Sequence, residues 1–256
     1  MDRRLLELDG TSLFCSLADF ILPRECAVCG RRLLPGEKYL CLCCMADLPL
    51  TYFSSQIRNP MADLYNAKFD AEEYEPYQRA AALFYYSAVA GGAPEQRRYA
   101  RIPQEVKYHR NFKIGGYFSS LLGKSLSEGG LFDDVDAIVP VPLHWTRLYR
   151  RGYNQSEIIA RGIALAFPGA EVKTDLLYRT RKTRTQTAIH SALDKRENVL
   201  GAFGVMPCAK SYKHILLVDD TFTTGATLAE CHNVLRKALG GEVKISAATL
   251  AFIGAL

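Results

Sequence analysis

Ile215-Leu-Leu-Val-Asp-Asp-Thr-Phe-Thr-Thr-Gly-Ala-Thr-Leu228 decides the fold class of this 256-residue chain. Residues 215–218 are uniformly apolar, the pattern of a strand buried on both faces of a parallel sheet. Asp219 and Asp220 follow at its carboxyl end, and Leu228, Cys231, Leu235, Ala238 and Leu239 then recur at helical spacing. In open α/β sheets, ligands bind outside the carboxyl ends of the strands. A helix N-terminus at that place offers N–H groups and the positive end of a dipole to an anion. Thr221, Thr223, Thr224 and Thr227 add hydroxyl donors, and Gly225 lets the backbone come close. Acids placed immediately before an anion cradle imply a ligand with both a phosphate and hydroxyls, or a bound metal. A phosphorylated sugar meets that description. A strand, an Asp cap and an ordinary helix start would account for a lone Asp-Asp pair, but not for the ordered string.

The same alternation continues outward. Residues 137–141 (Ala-Ile-Val-Pro-Val) read as a second buried strand, 81–86 as an early strand and 243–252 as the closing one. Residues 112–126 read as a helix despite Gly115 and Gly116, and 154–167 as a helix with Ile158, Ile159, Ile163 and Ala166 inward. Strands alternating with helices predict an α/β fold with a mostly parallel twisted sheet flanked by helices.

The strand at 137–141 delivers a second cluster: His144, Arg147, Arg150, Arg151, Gly152, Tyr153, Asn154 and Gln155. Three arginines in five residues, just ahead of a helix that Asn154 can cap, are suited to clamp a second polyanion. The plain alternative is a solvated basic turn. A ligand with a 5-phosphate at one end and a diphosphate at the other needs both clusters. A third basic stretch holds Arg179, Arg181, Lys182 and Arg184 around Thr183, with Gln186, Lys195 and Arg196 beyond. It reads as a loop that either closes over a charged substrate or binds the backbone of single-stranded nucleic acid, and the residues leave both open.

Lys plus Arg number 32 against 27 Asp plus Glu, a net charge of +5 that favours polyanionic ligands only mildly. The start of the chain mixes charge signs, and the apolar stretch 13–22 contains Asp19 and is too short to span a bilayer. It reads as an amphipathic helix with Leu13, Leu17 and Ile21 on one face. A cytoplasmic protein without membrane insertion is expected, its eight cysteines held as thiols or metal ligands. Cys26-x-x-Cys29 and Cys41-x-x-Cys44, separated by eleven residues, supply four thiolates for a structural zinc ribbon, with an iron–sulfur cluster as the lesser alternative. Cys43 is the rival of Cys44 for the fourth place.

The loop 219–227 resembles the phosphoribosyl diphosphate (PRPP) binding loop of type I phosphoribosyltransferases. Across the chain, five features stand in one order. They are the paired C-x-x-C, Val-Lys107-Tyr, Val-Pro-Val-Pro-x(4)-Arg147-x(3)-Arg151-Gly-Tyr-Asn-Gln155, Lys182-Thr183-x-x-Gln186 with Arg196-x-Asn-Val, and the acid-threonine loop. That order is similar to the ComF-like (GntX-like) competence-associated phosphoribosyltransferase proteins. The resemblance implies a helix and zinc module over 1–50, a connector over 51–78 and a phosphoribosyltransferase domain over 79–256. It implies Asp219 and Asp220 as the catalytic acids on the ribose hydroxyls. Thr221, Thr223, Thr224, Gly225, Ala226 and Thr227 would hold the 5-phosphate, and Lys107, Arg147 and Arg151 the diphosphate. Magnesium would accompany PRPP, a nitrogen acceptor would receive the phosphoribosyl group, and His144 is a general-base candidate by position alone. The family's link to DNA uptake implies partners among single-stranded DNA or uptake-machinery proteins. It also supplies the rival expectation, a non-catalytic single-stranded DNA or partner-binding factor on the same fold.

Overall fold

The apolar run 215–218 lies at the centre of a strand longer than the sequence pattern implies. The computed structural model describes residues 24–69, 76–86, 98–108, 111–181, 199–207 and 211–254, and these fall into two compact units, Met1–Leu48 and Pro49–Leu256. In the second unit, β1 (Ala80–Tyr85), β2 (Ala137–Pro140), β3 (Glu171–Val172), β6 (His214–Phe222) and β7 (Lys244–Phe252) form one sheet in the order β1-β7-β6-β2-β3. Every neighbouring pair in it is parallel. A separate antiparallel ribbon pairs β4 (Leu177–Arg179) with β5 (Phe203–Val205). This is the α/β class expected.

Ile215, Leu216, Leu217 and Val218 are fully buried. At about 1.5–3 kcal/mol per buried aliphatic side chain, this run anchors the sheet centre. The ladder does not stop at Val218. Asp219 pairs with Thr249, Thr221 with Ala251 and Phe222 with Phe252, so both acids are strand residues rather than loop residues. The reason is that pairing is made by the main chain and the buried partner strand β7 continues beside it, whatever the charge of the side chains.

Among the described residues, the helices of the second unit are α2 (Pro60–Asn66), α3 (Arg101–Tyr108), α4 (Phe112–Glu128), α5 (Trp145–Arg151), α6 (Gln155–Ala164) and α7 (Ala226–Leu239). α4 and α6 pack on each other closely because glycines remove side chains at the crossing. A Cβ on Gly162 would lie 2.3 Å from Ser119 Cβ, and one on Gly123 would lie 2.8 Å from the Ile163 carbonyl oxygen. Gly115 faces Val106 and Ile158, so Gly115 and Gly123, though they weaken the helical pattern at 112–128, serve packing, whereas Gly116 does not. Residues 51–78, read as a connector, carry a 3₁₀ turn (Phe53–Ser55) and α2. Asn59 caps α2 by accepting the Ala62 N–H at 2.9 Å and donates its amide to the Ala80 carbonyl at 3.0 Å, tying the helix to β1.

At the amino ends of the strands, buried His214 bridges the sheet. Its Nδ1 lies 2.6 Å from Asp134 Oδ1 and its Nε2 lies 2.7 Å from Ser246 Oγ. Among the described residues, no helix is long and apolar enough to cross a membrane. The expected helix at 13–22 and most of the basic stretch, 182–198, lie outside the described residues.

The α4–α6 crossing is directly testable. Gly162→Ala should destabilise the protein by about 1–3 kcal/mol through overpacking against Ser119. Gly116→Ala, whose added methyl would meet nothing within 4 Å, should be neutral or stabilise by up to about 1 kcal/mol. Urea midpoints of the two variants check both outcomes.

Candidate functional site

From β2 the chain runs through α5 and α6 to β3, on one side of β2, whereas from β6 it runs through α7 to β7, on the other side. Strand order therefore reverses between β2 and β6. Their carboxyl ends open into the crevice that such a reversal creates. Crossovers of one hand running in opposite directions also put α6 and α7 on opposite faces of the sheet. Pro140 is in register with Val218, and the Val141 N–H bonds the Val218 carbonyl at 2.9 Å. The acids that follow Val218 and the arginine helix that follows Val141 thus emerge side by side.

On the acid side, Asp219 Oδ1 accepts the Asp220 N–H at 2.8 Å and the Ser156 hydroxyl at 3.0 Å. Asp220 is buried, and its Oδ1 pairs with Lys107 Nζ at 3.0 Å. Asp220 Oδ2 and Thr221 Oγ1 are buried with no hydrogen-bond partner among the described residues. Buried polar atoms are seldom left so. Burial pushes the Asp219 carboxyl up to about 7, and the charge of Asp220 adds to this. Lys107 and Ser156 offset it only in part. Burial alone would lower the Lys107 ammonium, but the Asp220 carboxylate holds it above its ordinary value.

Past Phe222 the chain turns through Thr223 and Thr224 to Gly225, which adopts φ +74° and occupies the N-cap of α7. A Cβ there would be strained by that φ and would lie 2.5 Å from the Phe222 ring. Gly225 makes no side-chain cap, and the Ala226 N–H at the start of α7 donates instead to Thr224 Oγ1 at 3.5 Å.

On the cation side, α5 begins at His144, whose Nδ1 accepts the Thr146 N–H at 3.3 Å, and ends at Gly152, φ +84°. The candidate base thus spends one ring nitrogen on a helix cap. Arg147 is half-buried; burial and then the charges of Arg151 and Arg150 push its guanidinium down. Arg151 donates to Gln155 Oε1 and lies over the Tyr108 ring, 5.5 Å from its centroid. The Tyr153 hydroxyl donates to the Val106 carbonyl, fastening the turn after α5 to the helix that carries Lys107. Asn154 caps α6 through the Ser156 N–H at 3.2 Å, as expected, and donates to the Val141 carbonyl at 3.0 Å.

Two residues join the site without having been singled out for it. Arg179, one of the unassigned cations, stacks 4.8 Å from the Phe203 ring centroid, where burial and then the nearby charge of Arg147 push it down. Ser156 holds Asp219, yet in sequence it looks like an ordinary residue of a first helical turn. Lys182, Arg184 and Arg196 lie outside the described residues.

The first unit holds a separate centre. One ligand atom from each of Cys26, Cys29, Cys41 and Cys44 lies within 4.8 Å of the others. The Cys29 and Cys41 sulfurs are 3.8 Å apart, the edge of a tetrahedron with metal–sulfur distances of about 2.3 Å, the zinc–thiolate value. Cys43 is exposed and accepts from Arg31 Nη2 at 3.5 Å, so the fourth place belongs to Cys44. The geometry follows from local bonds. Gly30 N–H meets the Cys26 carbonyl at 2.9 Å with Gly30 at φ +74°, and Cys41 caps α1 (Leu42–Ala46), its sulfur accepting the Cys44 N–H at 3.4 Å. Glu37 joins the two knuckles by accepting the Leu34 and Leu42 N–H groups at 2.6 and 2.7 Å, which hold its carboxyl below the ordinary range. Four thiolates close the coordination sphere of a structural metal such as zinc.

No protein-family model matches the chain. It is 36% identical over 149 residues to competence protein F of Haemophilus influenzae, a match covering 56% of this chain and 63% of that protein. It is 34% identical over 144 residues to the DNA utilization protein YhgH of Escherichia coli, covering 55% of this chain and 62% of that protein. These matches make the chain similar to proteins named for competence and DNA utilization. The chain spans somewhat less than two thirds of the length of these curated relatives.

Two outcomes are expected. The chain as purified should carry one zinc, retained in Cys43→Ser and lost in Cys44→Ser, as elemental analysis would read. For Asp219 the sign follows from linkage: a carboxyl near about 4 when unfolded but raised to about 7 when folded penalises the folded state above pH 7. That penalty fades as pH falls through 7. The stability of the parent relative to Asp219→Asn should therefore rise from pH 8 to pH 5, measured by paired urea titrations.

Proposed function

We propose that the β2–β6 crevice binds PRPP with magnesium and transfers its phosphoribosyl group to a nitrogen acceptor. The observation that carries this reading is the pair of buried oxygens without a partner among the described residues, Asp220 Oδ2 and Thr221 Oγ1, at the strand end that leads into α7 and opposite Arg147 and Arg179. A ligand that satisfies all of these has hydroxyls in the middle and phosphate at both ends.

In this reading Asp219 and Asp220 accept the ribose hydroxyls, and Ser156 keeps Asp219 oriented. Thr221, Thr223, Thr224, Gly225, Ala226 and Thr227 receive the 5-phosphate through hydroxyls and backbone N–H groups. Lys107, Arg147 and Arg151, with Arg179 added, face the diphosphate. The carboxylate and hydroxyl oxygens here suit a hard cation, and magnesium would supply charge neutralisation of the diphosphate. As the bond from ribose C1 to the diphosphate oxygen breaks, the carboxylates stand near the positive charge on the ring and the arginines near the negative charge on the leaving group. The nitrogen lone pair forms the new bond and its proton leaves. Fixed charges in a poorly hydrated site carry most of the effect.

The phosphoribosyl-transfer domain spans 79–256 in this account, after the zinc module of 1–50 and the stretch 51–78. The reaction takes place in the cytoplasm and serves DNA uptake, in keeping with relatives named for competence and DNA utilization. Calorimetric titration with PRPP and magnesium tests it, followed by a screen for diphosphate release with nucleobases. The double variant Asp219→Asn/Asp220→Asn should bind at least about a hundredfold more weakly, and Arg147→Ala about ten- to a hundredfold, the loss of a charge-assisted contact. Unchanged affinity in the double variant would sink the reading.

A further inference from the structure

One ammonium is wanted in two places. The proposed reading sends Lys107 to the diphosphate, yet its Nζ lies 3.0 Å from Asp220 Oδ1, on a carboxylate meant for the ribose hydroxyls. Lys107 stands in the last turn of α3, one residue from its end. The Tyr153 hydroxyl fastens the Val106 carbonyl beside it, so the main chain is held while the four-carbon stem can move. The Lys107 side chain is 27% exposed against 6% for Asp220, so solvent reaches the pair from the lysine side. Burial works against the ammonium, and Asp220 and then Asp219 hold it charged. It remains one charge facing two acids. Asp220 Oδ2 and Thr221 Oγ1 stay buried without a partner among the described residues, beside the oxygen that Lys107 covers.

We infer that the Lys107–Asp220 pair is an autoinhibitory contact: in the empty crevice Lys107 keeps the acids from taking up a bare divalent cation, and it leaves Asp220 only for the diphosphate of an arriving donor. Adjacent carboxylates with a hydroxyl oxygen beside them are the ligands that a hard dication seeks. With an ammonium 3.0 Å from one of those oxygens, such an ion meets a like charge in a poorly hydrated place, where repulsion is strong. A diphosphate reverses the balance, because it offers the ammonium more negative charge than one carboxylate does. The divalent cation is therefore admitted with the donor and not ahead of it. Arg151, also read toward the diphosphate, is occupied in a similar way, by Gln155 Oε1 and by the Tyr108 ring. The inference rests on the donor reading proposed above and adds to it an order of binding.

Manganese alone, followed by the paramagnetic resonance signal of the free ion, probes the contact without any donor. The parent should bind it weakly, Lys107→Met at least about tenfold more tightly, and Lys107→Met/Asp220→Asn no better than the parent. Lys107→Arg, which keeps the pair, should resist manganese as the parent does. A second readout uses the parent itself. In proton–nitrogen correlation spectra of the lysine ammonium groups, the Lys107 signal, assigned by its absence in Lys107→Arg, should move when PRPP and magnesium are added together and stay in place with magnesium alone. Manganese binding to the parent as tight as to Lys107→Met overturns the inference, as does a tightening that survives Asp220→Asn. So does a Lys107 signal that stays unmoved although calorimetry shows PRPP bound. Absence of PRPP binding in calorimetry, with the manganese series as expected, counts against the proposed donor while upholding the block to bare cations.

Discussion

The parallel ladder between β2 and β6 is the constraint on which the site depends. Four registered pairs, Ala137 with Ile215 through Pro140 with Val218, and the Val141 N–H beyond them bring two chemically opposite segments to one level. Without that pairing the acids would have no arginines across from them, since Arg147 lies 72 residues before Asp219 in the chain. The ladder holds because the paired residues of both strands are apolar and fully buried, while the reversal of strand order between them keeps the space above their carboxyl ends open.

What stands in that space is electrostatically costly by itself. Asp219 is raised toward neutrality by burial beside Asp220, and Arg147 and Arg179 are each lowered by burial and by cationic neighbours. Lys107 relieves one carboxylate oxygen of Asp220 and leaves the other without a partner. Like charges gathered at each end of a crevice destabilise the fold slightly, and their arrangement makes sense as preparation for a ligand of matching charge pattern. The zinc-type module is a contrasting case. Its four sulfurs, closed by local turns and by Glu37, satisfy one another's geometry and leave no open position for chemistry.

Much of this was legible in the residues because it is local. The periodicity of 112–126 and 154–167, the Asn154 cap, and the buried strands near 81–86, 137–141 and 243–252 each needed only neighbours in sequence. The end of β6 was not legible, because consecutive carboxylates look like a loop until a partner strand is known to run beside them. Helix α5 was read as an arginine turn, since its seven residues bury nothing and so show no inward face. The β4–β5 ribbon, with two three-residue strands, is too short for any period to appear. Ser156 and Arg179 belong to the site only through contacts across the fold, to Asp219 and toward Arg147, which spacing does not reveal. The choice between Cys43 and Cys44 likewise awaited the direction of α1, which turns Cys43 toward Arg31.

We propose the acid pair, the glycine turn and the arginine helix as one elongated site for a sugar with phosphate at both ends. A crystal structure grown with PRPP and magnesium tests that claim most directly. The account predicts the 5-phosphate on the Thr223–Thr227 turn, the ribose hydroxyls on Asp219 and Asp220, and the diphosphate on the side of Arg147 and Arg179. Donor density elsewhere on the chain, or a β2–β6 crevice left empty at saturating donor, would contradict it.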